Sequence, residues 1–257
     1  MAGNYPPPPP QGPGDYPPPP PPPQGPGGYG QPSQPGSFEI GAAFSWAWDR
    51  FKQNAGPLVL GVLIIVAISG IINGLTSLPT MGTTPDSYAT SEEIWSWAAA
   101  NLGWSLIGGV VSTVVVAPLT INLARMALGI ADGRRADVGD MFRFDLAGPA
   151  IVLALIVYLL TMVGMVLCLI PGLVFAFGAA YSTIILADRG LSPWESVKAS
   201  FGVYRVNFGL ALVAVLLGGI VAAVGVIACI VGVLVTAPIG LLFVTYAYRR
   251  LTGGVVV

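Results

Sequence analysis

Histidine is absent from the 257 residues. That removes the commonest general base, the commonest metal ligand and histidine ligation of haem. Charge is scarce, at 9% of residues, where a soluble domain carries about 25%. Neither sign dominates: 11 basic and 12 acidic residues leave a net charge of −1, without the basic footprint that nucleic-acid binding needs. The two cysteines form no CxxC or zinc-type spacing. No nucleophile elbow, Walker loop or dinucleotide fingerprint occurs. What is present is apolar: 54% hydrophobic residues and a mean hydropathy of +0.76. This composition excludes an ordinary water-soluble enzyme and describes an all-α, multi-spanning membrane protein.

Residues 1–37 stand apart. Sixteen of the 24 prolines lie there, with a single charge, Asp15. Tyr5 and Tyr16 each precede a proline run that ends in Gln-Gly-Pro-Gly. Proline blocks helix and sheet, so the runs read as polyproline II rods with Gly-rich joints. Too few apolar groups are present to build a core, which predicts a disordered N-terminal tail. It lacks the basic start and apolar run of a secretory signal. It reads either as an arm that docks other proteins or as a solvated low-complexity extension.

From residue 38 to 251, charges divide the chain into neutral stretches. Lys52 to Asp86 encloses 33 uncharged residues, Glu93 to Arg125 31, Asp145 to Asp188 42, and Arg205 to Arg249 43. One crossing needs about 20 residues, and a 42-residue helix would be about 63 Å long, twice the hydrocarbon thickness. The first two stretches therefore hold one span each and the last two fold back as hairpins. The expected spans are approximately 57–75, 104–124, 149–170, 172–187, 208–229 and 231–248, leaving 252–257 as a short end. Pro171-Gly172 and the region 229–232 supply the expected turns. Pro57 and Pro149 suit first-turn positions, whereas Pro118 and Pro238 are expected to kink or loosen their helices.

With this partition all eleven basic residues fall on one side, and the opposite loops hold only Asp86, Glu92 and Glu93. The positive-inside rule then predicts both ends of the chain in the cytoplasm.

The inner-face segments resemble one another. Ile40, Phe44, Ala47, Trp48 and Phe51 recur at helical spacing. Ser192-Pro193-Trp194-Glu195 reads as a capping box, and Trp194, Val197, Phe201 and Tyr204 continue as an apolar face. Each segment leads into an aromatic, a base, then Asn or Asp, then Gly: Phe51-Lys52-Gln53-Asn54-Ala55-Gly56, Phe142-Arg143-Phe144-Asp145-Leu146-Ala147-Gly148 and Tyr204-Arg205-Val206-Asn207-Phe208-Gly209. The aromatic and base suit headgroup level, and Asn or Asp can cap the incoming helix. Either this is a threefold repeat, or the junctions look alike because all face one interface. The expected architecture is three units, each an interfacial helix (about 38–54, 137–145 and 192–205) followed by a hairpin of two spans.

No Asp, Glu, Lys or Arg falls within these spans, which disfavours coupled pumps. Asn73, Asn122, Thr161, Tyr181, Ser182, Thr183 and Thr236 could line a polar route or simply hydrogen-bond between helices. Small residues at four-residue spacing, including Gly70/Gly74, Gly172/Ala176 and Gly218/Ala222, predict close helix packing. Cys168 and Cys229 end spans 3 and 5 at matching depth, as a candidate disulfide or as two inert thiols. Asp137 and Asp140 read as a cap and a solvated charge. Arg50, Lys52, Arg134, Arg135, Arg143, Arg205, Arg249 and Arg250 are candidate contacts for anionic headgroups, at about 1 kcal/mol per base near the surface.

The stretch Ala187-Asp188-Arg189-Gly190-Leu191-Ser192-Pro193-Trp194-Glu195-Ser196-Val197-Lys198-Ala199-Ser200, with Trp48-Asp49-Arg50-Phe51-Lys52-Gln53-Asn54, resembles a family of six-span bacterial integral membrane proteins of unassigned function. That family is related to the membrane domain fused to some glycerophosphodiester phosphodiesterases. With its Tyr/Pro/Gly tail, the chain is similar to the proline- and glycine-rich transmembrane proteins of mycobacteria and their relatives. The resemblance covers about residues 38–251 and implies a bacterial cytoplasmic-membrane location. These residues contain no phosphodiesterase domain, so that activity is not implied.

The sequence thus points to a non-enzymatic organising or interaction component that uses no cofactor. Its expected partners are membrane lipids and, through the tail, membrane or cytoplasmic proteins; nucleic acid is not among them. The rival reading is a permease or channel for a neutral or lipidic solute. A continuous polar cavity containing Asn122 or Tyr181 would favour transport, and carboxylates clustered at one membrane face would favour an enzyme.

Overall fold

The structure, a computed structural model, describes residues 39–80, 82, 83, 85, 89–227 and 229–257, without the side chains at 80, 206 and 227–231. The Pro/Gly-rich tail, with its expected rods and docking role, lies outside these residues. The described residues are mostly helical, with no strand among them. Its helices are α1 (Ile40–Ser77), α2 (Ser91–Ala131), α3 (Ala147–Leu167), α4 (Leu169–Gly178), α5 (Ser182–Arg189), α6 (Pro193–Val206), α7 (Phe208–Ile227) and α8 (Cys229–Leu251). Six stretches are long and apolar enough to cross a membrane: α1, α2, α3, α4 with α5, α7 and α8. The protein is therefore an all-α polytopic membrane protein built as three hairpins, each entered from an interfacial segment.

In the first unit the interfacial segment and the span are joined as one 38-residue helix with a break at Asn54 (φ −126°, ψ 21°). The Asn54 amide donates to the Arg50 carbonyl (3.0 Å), and its Oδ1 accepts the Ala136 N–H (2.9 Å). Pro57 follows in the first turn beyond the break, where a missing N–H costs little. Of the apolar stripe, Ala47 and Phe51 are buried, whereas Ile40, Phe44 and Trp48 face outward, toward the lipid.

In the third unit Ser192 and Glu195 form the expected capping box: Glu195 N–H donates to Ser192 Oγ, and Ser192 N–H to Glu195 Oε2 (3.2 Å). The α6 helix ends at Asn207, whose Oδ1 accepts the Leu210 N–H (3.3 Å) and so caps α7. The second unit departs from expectation. Its entry is a short 3-10 turn, Val138–Phe142, instead of a helix over 137–145. Asp137 turns the chain there by accepting the Gly139 N–H (2.6 Å), which leaves five residues before the next joint.

Two breaks also lie elsewhere than the turn residues imply. Between α3 and α4 the extended residue is Cys168 (φ −170°, ψ 136°), and Pro171 sits in the first turn of α4. A Cβ on Gly164 would lie 2.7 Å from the Gly172 Cα, so glycine at both positions lets the two helices touch backbone to backbone. The fourth span is itself interrupted at 179–181. The carbonyls freed there are satisfied by α6: Ser200 Oγ donates to Gly178 O (2.6 Å), and the Tyr204 hydroxyl donates to Phe177 O. Ser200 Oγ also accepts the Tyr181 N–H (3.1 Å). An interrupted span is tolerated in lipid only with such partners. By contrast, α2 and α8 run unbroken through Pro118 and Pro238.

Burial is uneven along the spans. In α2 it concentrates from Ala117 to Ala131, and in α8 from Pro238 to Tyr248, at the ends that carry the basic residues. Toward the opposite face Val166 and Leu167 are more than 70% exposed. Burial is thus greatest at the basic face of the bundle. At the basic end α2 contributes to each of three apolar clusters, through Leu123, Leu128 and Ile121.

Candidate functional site

The ends of α2, α5 and α8 and the loop 132–145 converge at the basic face and build a charged pocket of about 230 Å³. Arg249, only 17% exposed, stands at its centre. Its guanidinium donates to Asp132 Oδ1 (2.8 Å) and pairs with Asp188 Oδ1 (3.1 Å). Asp188 also accepts from the Tyr248 hydroxyl (2.8 Å), which in turn accepts from Arg189 Nε (3.1 Å). The Nε of Arg249 is buried without a hydrogen-bond acceptor.

At the rim, Arg125 grips Asp145 by two bonds, of 2.7 and 2.6 Å. That contact holds the Asp145 carboxyl down at about 2, first by the hydrogen bonds and then by the charge of Arg125. The other two arginines of the pocket are weakly engaged: Arg134 lies 3.9 Å from Asp132 and Arg143 3.5 Å from Asp140. Outside the pocket, the Glu195 carboxyl is held below its ordinary range by hydrogen bonds from Ser192. The Tyr204 hydroxyl is pushed up to about 12 by burial.

A half-open cavity of about 580 Å³ lies between α2, α3, α4 and α5, with Asn73 of α1 also in its lining. Its walls are mostly small residues, among them Gly109, Ala117, Ala154 and Ala180. Several lining residues carry hydroxyls, but Thr120 and Ser182 turn theirs to the carbonyls of Val116 and Ala179. Tyr158 also lines it and closes over Gly109, where a Cβ would collide with the Tyr158 hydroxyl.

Asn122 and Tyr181, the residues that would mark a polar route, line neither space. Both are fully buried. The Asn122 amide donates to the carbonyls of Met141 (2.9 Å) and Arg143 (2.7 Å), stapling the 3-10 turn to α2. The Tyr181 hydroxyl donates to Ala211 O (2.9 Å) and ties α5 to α7. Thr236 likewise donates to Ala222 O (3.2 Å) across the last hairpin.

Uncharacterized protein Rv2560 of Mycobacterium tuberculosis is 35% identical to this chain over 233 residues, covering 87% of this chain and 72% of its own length. Uncharacterized protein Mb2590 of Mycobacterium bovis matches to the same extent. The chain belongs to their family. No family model matches the sequence, and no solved structure matches it. The relatives carry no assigned activity, so the chemistry of the site rests on its own residues.

Of the eight expected headgroup contacts, the pocket brings together Arg134, Arg143 and Arg249. The others lie apart. Lys52 pairs with Asp49 (2.9 Å), Arg50 donates to the Val257 carbonyl (2.6 Å), and Arg250 packs on the Tyr246 ring. Arg135 and Arg205 are exposed. Arg125, read only as a mark of orientation, belongs to the pocket. A stripe at helical spacing on α2, from Thr113 and Ala117 through Ile121 to Arg125, Leu128 and Asp132, was the available signal. The Gly70/Gly74 pair meets nothing within 4 Å, so it makes no helix contact in this chain. Cys168 is exposed at the α3–α4 joint, and the side chain of Cys229 lies outside the described residues.

Proposed function

We propose that this protein is a non-enzymatic organising component of the bacterial cytoplasmic membrane, with both ends of the chain in the cytoplasm and the Pro-rich tail as a docking arm. The observation that carries this reading is the cross-bonding of buried polar side chains toward the basic end of the bundle. Asn122, Tyr181 and Ser200 are each fully buried and bonded to backbone of a neighbouring element. Such bonds fix a scaffold. The carboxylates that cluster at this face have arginine partners: Asp132 and Asp188 share Arg249, Asp140 lies by Arg143, and Asp145 is held by Arg125. The Asp145 carboxylate, gripped by Arg125, is held in its ionised form and makes a poor general acid. This supports a structural role for the cluster.

Cross-linking with mass spectrometry in native membranes tests the proposal. The full chain should capture protein neighbours that a chain lacking 1–37 loses. If every neighbour survives that deletion, the tail is not the docking arm. The cavity between α2, α3, α4 and α5 favours a second reading, a permease for a lipidic solute. Solute flux in reconstituted vesicles that depends on the protein would support that reading against the first.

A further inference from the structure

We propose that the charged pocket and the apolar cavity are two compartments of one site that holds a single glycerophospholipid, its phosphate in the pocket and an acyl chain in the cavity. This goes beyond the organising role and rests only on the membrane placement, not on the tail.

Continuity is the first argument. One face of α2 lines both spaces: Thr113, Ala117 and Ile121 in the cavity, then Arg125, Leu128 and Asp132 in the pocket. On α5 the boundary falls between adjacent residues, Leu186 in the cavity and Ala187 in the pocket. Dimensions agree. Along α2 the cavity runs from Gly109 to Ile121, about 18 Å at 1.5 Å per residue. One leaflet of hydrocarbon is about 15 Å deep. The volume of about 580 Å³ lies within the range of small-molecule sites, about 300–1,000 Å³.

Chemistry gives the orientation. The cavity wall is mostly small, with hydroxyls among its apolar residues; Thr120, Ser182 and Asn73 turn their polar groups to backbone carbonyls, which leaves room for a hydrocarbon chain. Where the α2 stripe ends, the pocket sets four guanidinium groups, Arg125, Arg134, Arg143 and Arg249, against three carboxylates, Asp132, Asp140 and Asp188. Arg125 and Arg249 are already bound to aspartates, but Arg134 and Arg143 are held loosely, at 3.9 and 3.5 Å. The buried Nε of Arg249 is an unused donor. A phosphodiester oxygen accepts charge-assisted bonds from such groups.

The test uses the full chain in detergent micelles, titrated with dioleoylphosphatidylglycerol and read by native mass spectrometry. One lipid should bind ahead of the weaker, non-specific ones. The side chains of Arg134 and Arg143 are 69% and 60% exposed, so an Arg134→Gln/Arg143→Gln variant should fold. It should raise the half-saturation of that first lipid by about tenfold, the loss expected for charge-assisted bonds. Ala154→Phe, which fills the cavity, should do the same. Should it fail to fold, Ala176→Val fills the same space with less bulk. Glycerol 3-phosphate should not displace the lipid. Unchanged first-lipid binding in either variant overturns the proposal. Displacement by glycerol 3-phosphate at the concentration of the lipid also overturns it, because the pocket would then bind a free phosphate ester and the cavity would have no part.

Discussion

Arg125 and Asp145 clamp the end of α2 to the joint ahead of α3, their paired oxygens and nitrogens meeting at 2.7 and 2.6 Å. The same sequence position plays a different part in each unit. Asn54 bridges to the loop through Ala136, Asn207 caps α7, and Asp145 takes an arginine. The junctions are alike in sequence and unlike in bonding, and only the middle one is ionic.

That difference makes the middle joint sensitive to acid. The Asp145 carboxyl is held at about 2 against an ordinary 3.8. A group whose folded value is depressed contributes stability above its unfolded value and loses it as pH falls through the folded one. The contribution of Asp145 is therefore full above about pH 4 and gone near pH 2. Asp145→Asn should melt at a lower temperature than the parent in detergent at neutral pH. The gap should close as the pH falls from about 4 to about 2. A gap independent of pH would show that the carboxylate charge is not what the joint uses.

Ser200 offers a second test. Its Oγ takes the Tyr181 N–H and gives its proton to Gly178 O within a fully buried site. Ser200→Ala leaves both backbone groups without partners in a medium that offers none. Each such group costs about 1–3 kcal/mol. Destabilisation of ~2 kcal/mol or more is expected, with faster amide exchange confined at first to 178–182. Loss of stability without local exchange would place the effect elsewhere.

Much of this architecture was legible in the residues, and the misses have physical causes. Ser192-Pro193-Trp194-Glu195 showed a capping box because the pattern is local, and the structure has it. The same pattern at Thr90 and Glu93 opens α2 with an equivalent box, but it stands ahead of the apolar window that defined the span. The break at 179–181 has only Gly178 beside it as a local signal, and its stability comes from Ser200 and Tyr204 on another helix. The pocket was illegible for the same reason: Asp132, Asp188 and Arg249 meet only through the packing of α2, α5 and α8. The basic residues were seen as marks of orientation because hydropathy reads sides, not pairs.

Glycine positions separate packing from surface. A Cβ at Gly164 would lie 2.7 Å from the Gly172 backbone, whereas at Gly74 it would meet nothing within 4 Å. Gly164→Ala must push α3 and α4 apart and should cost ~1–3 kcal/mol, as overpacking does. Gly74→Ala should be neutral, or stabilise by up to ~1 kcal/mol through helix propensity. Melting of both variants in the same detergent checks the contrast. Equal destabilisation would mean that Gly74 packs against a second molecule.

The last prediction concerns direction across the bilayer. Arg125, Arg249 and Arg189 sit on different helices yet meet at one face through Asp145, Asp132 and Tyr248. The loop ahead of α2 and the first turn of α2 carry Asp86, Glu92 and Glu93 and no base. Basic residues near span ends are retained in the cytoplasm, so that face should be the inner one. A phosphatase that folds only after export should be active when inserted at Gly82 and inactive when fused after Arg250. The pattern should reverse for a reporter that fluoresces only in the cytoplasm. An exported reporter after Arg250 would invert the bundle and put the charged pocket outside the cell, with the tail on the far side from any cytoplasmic partner.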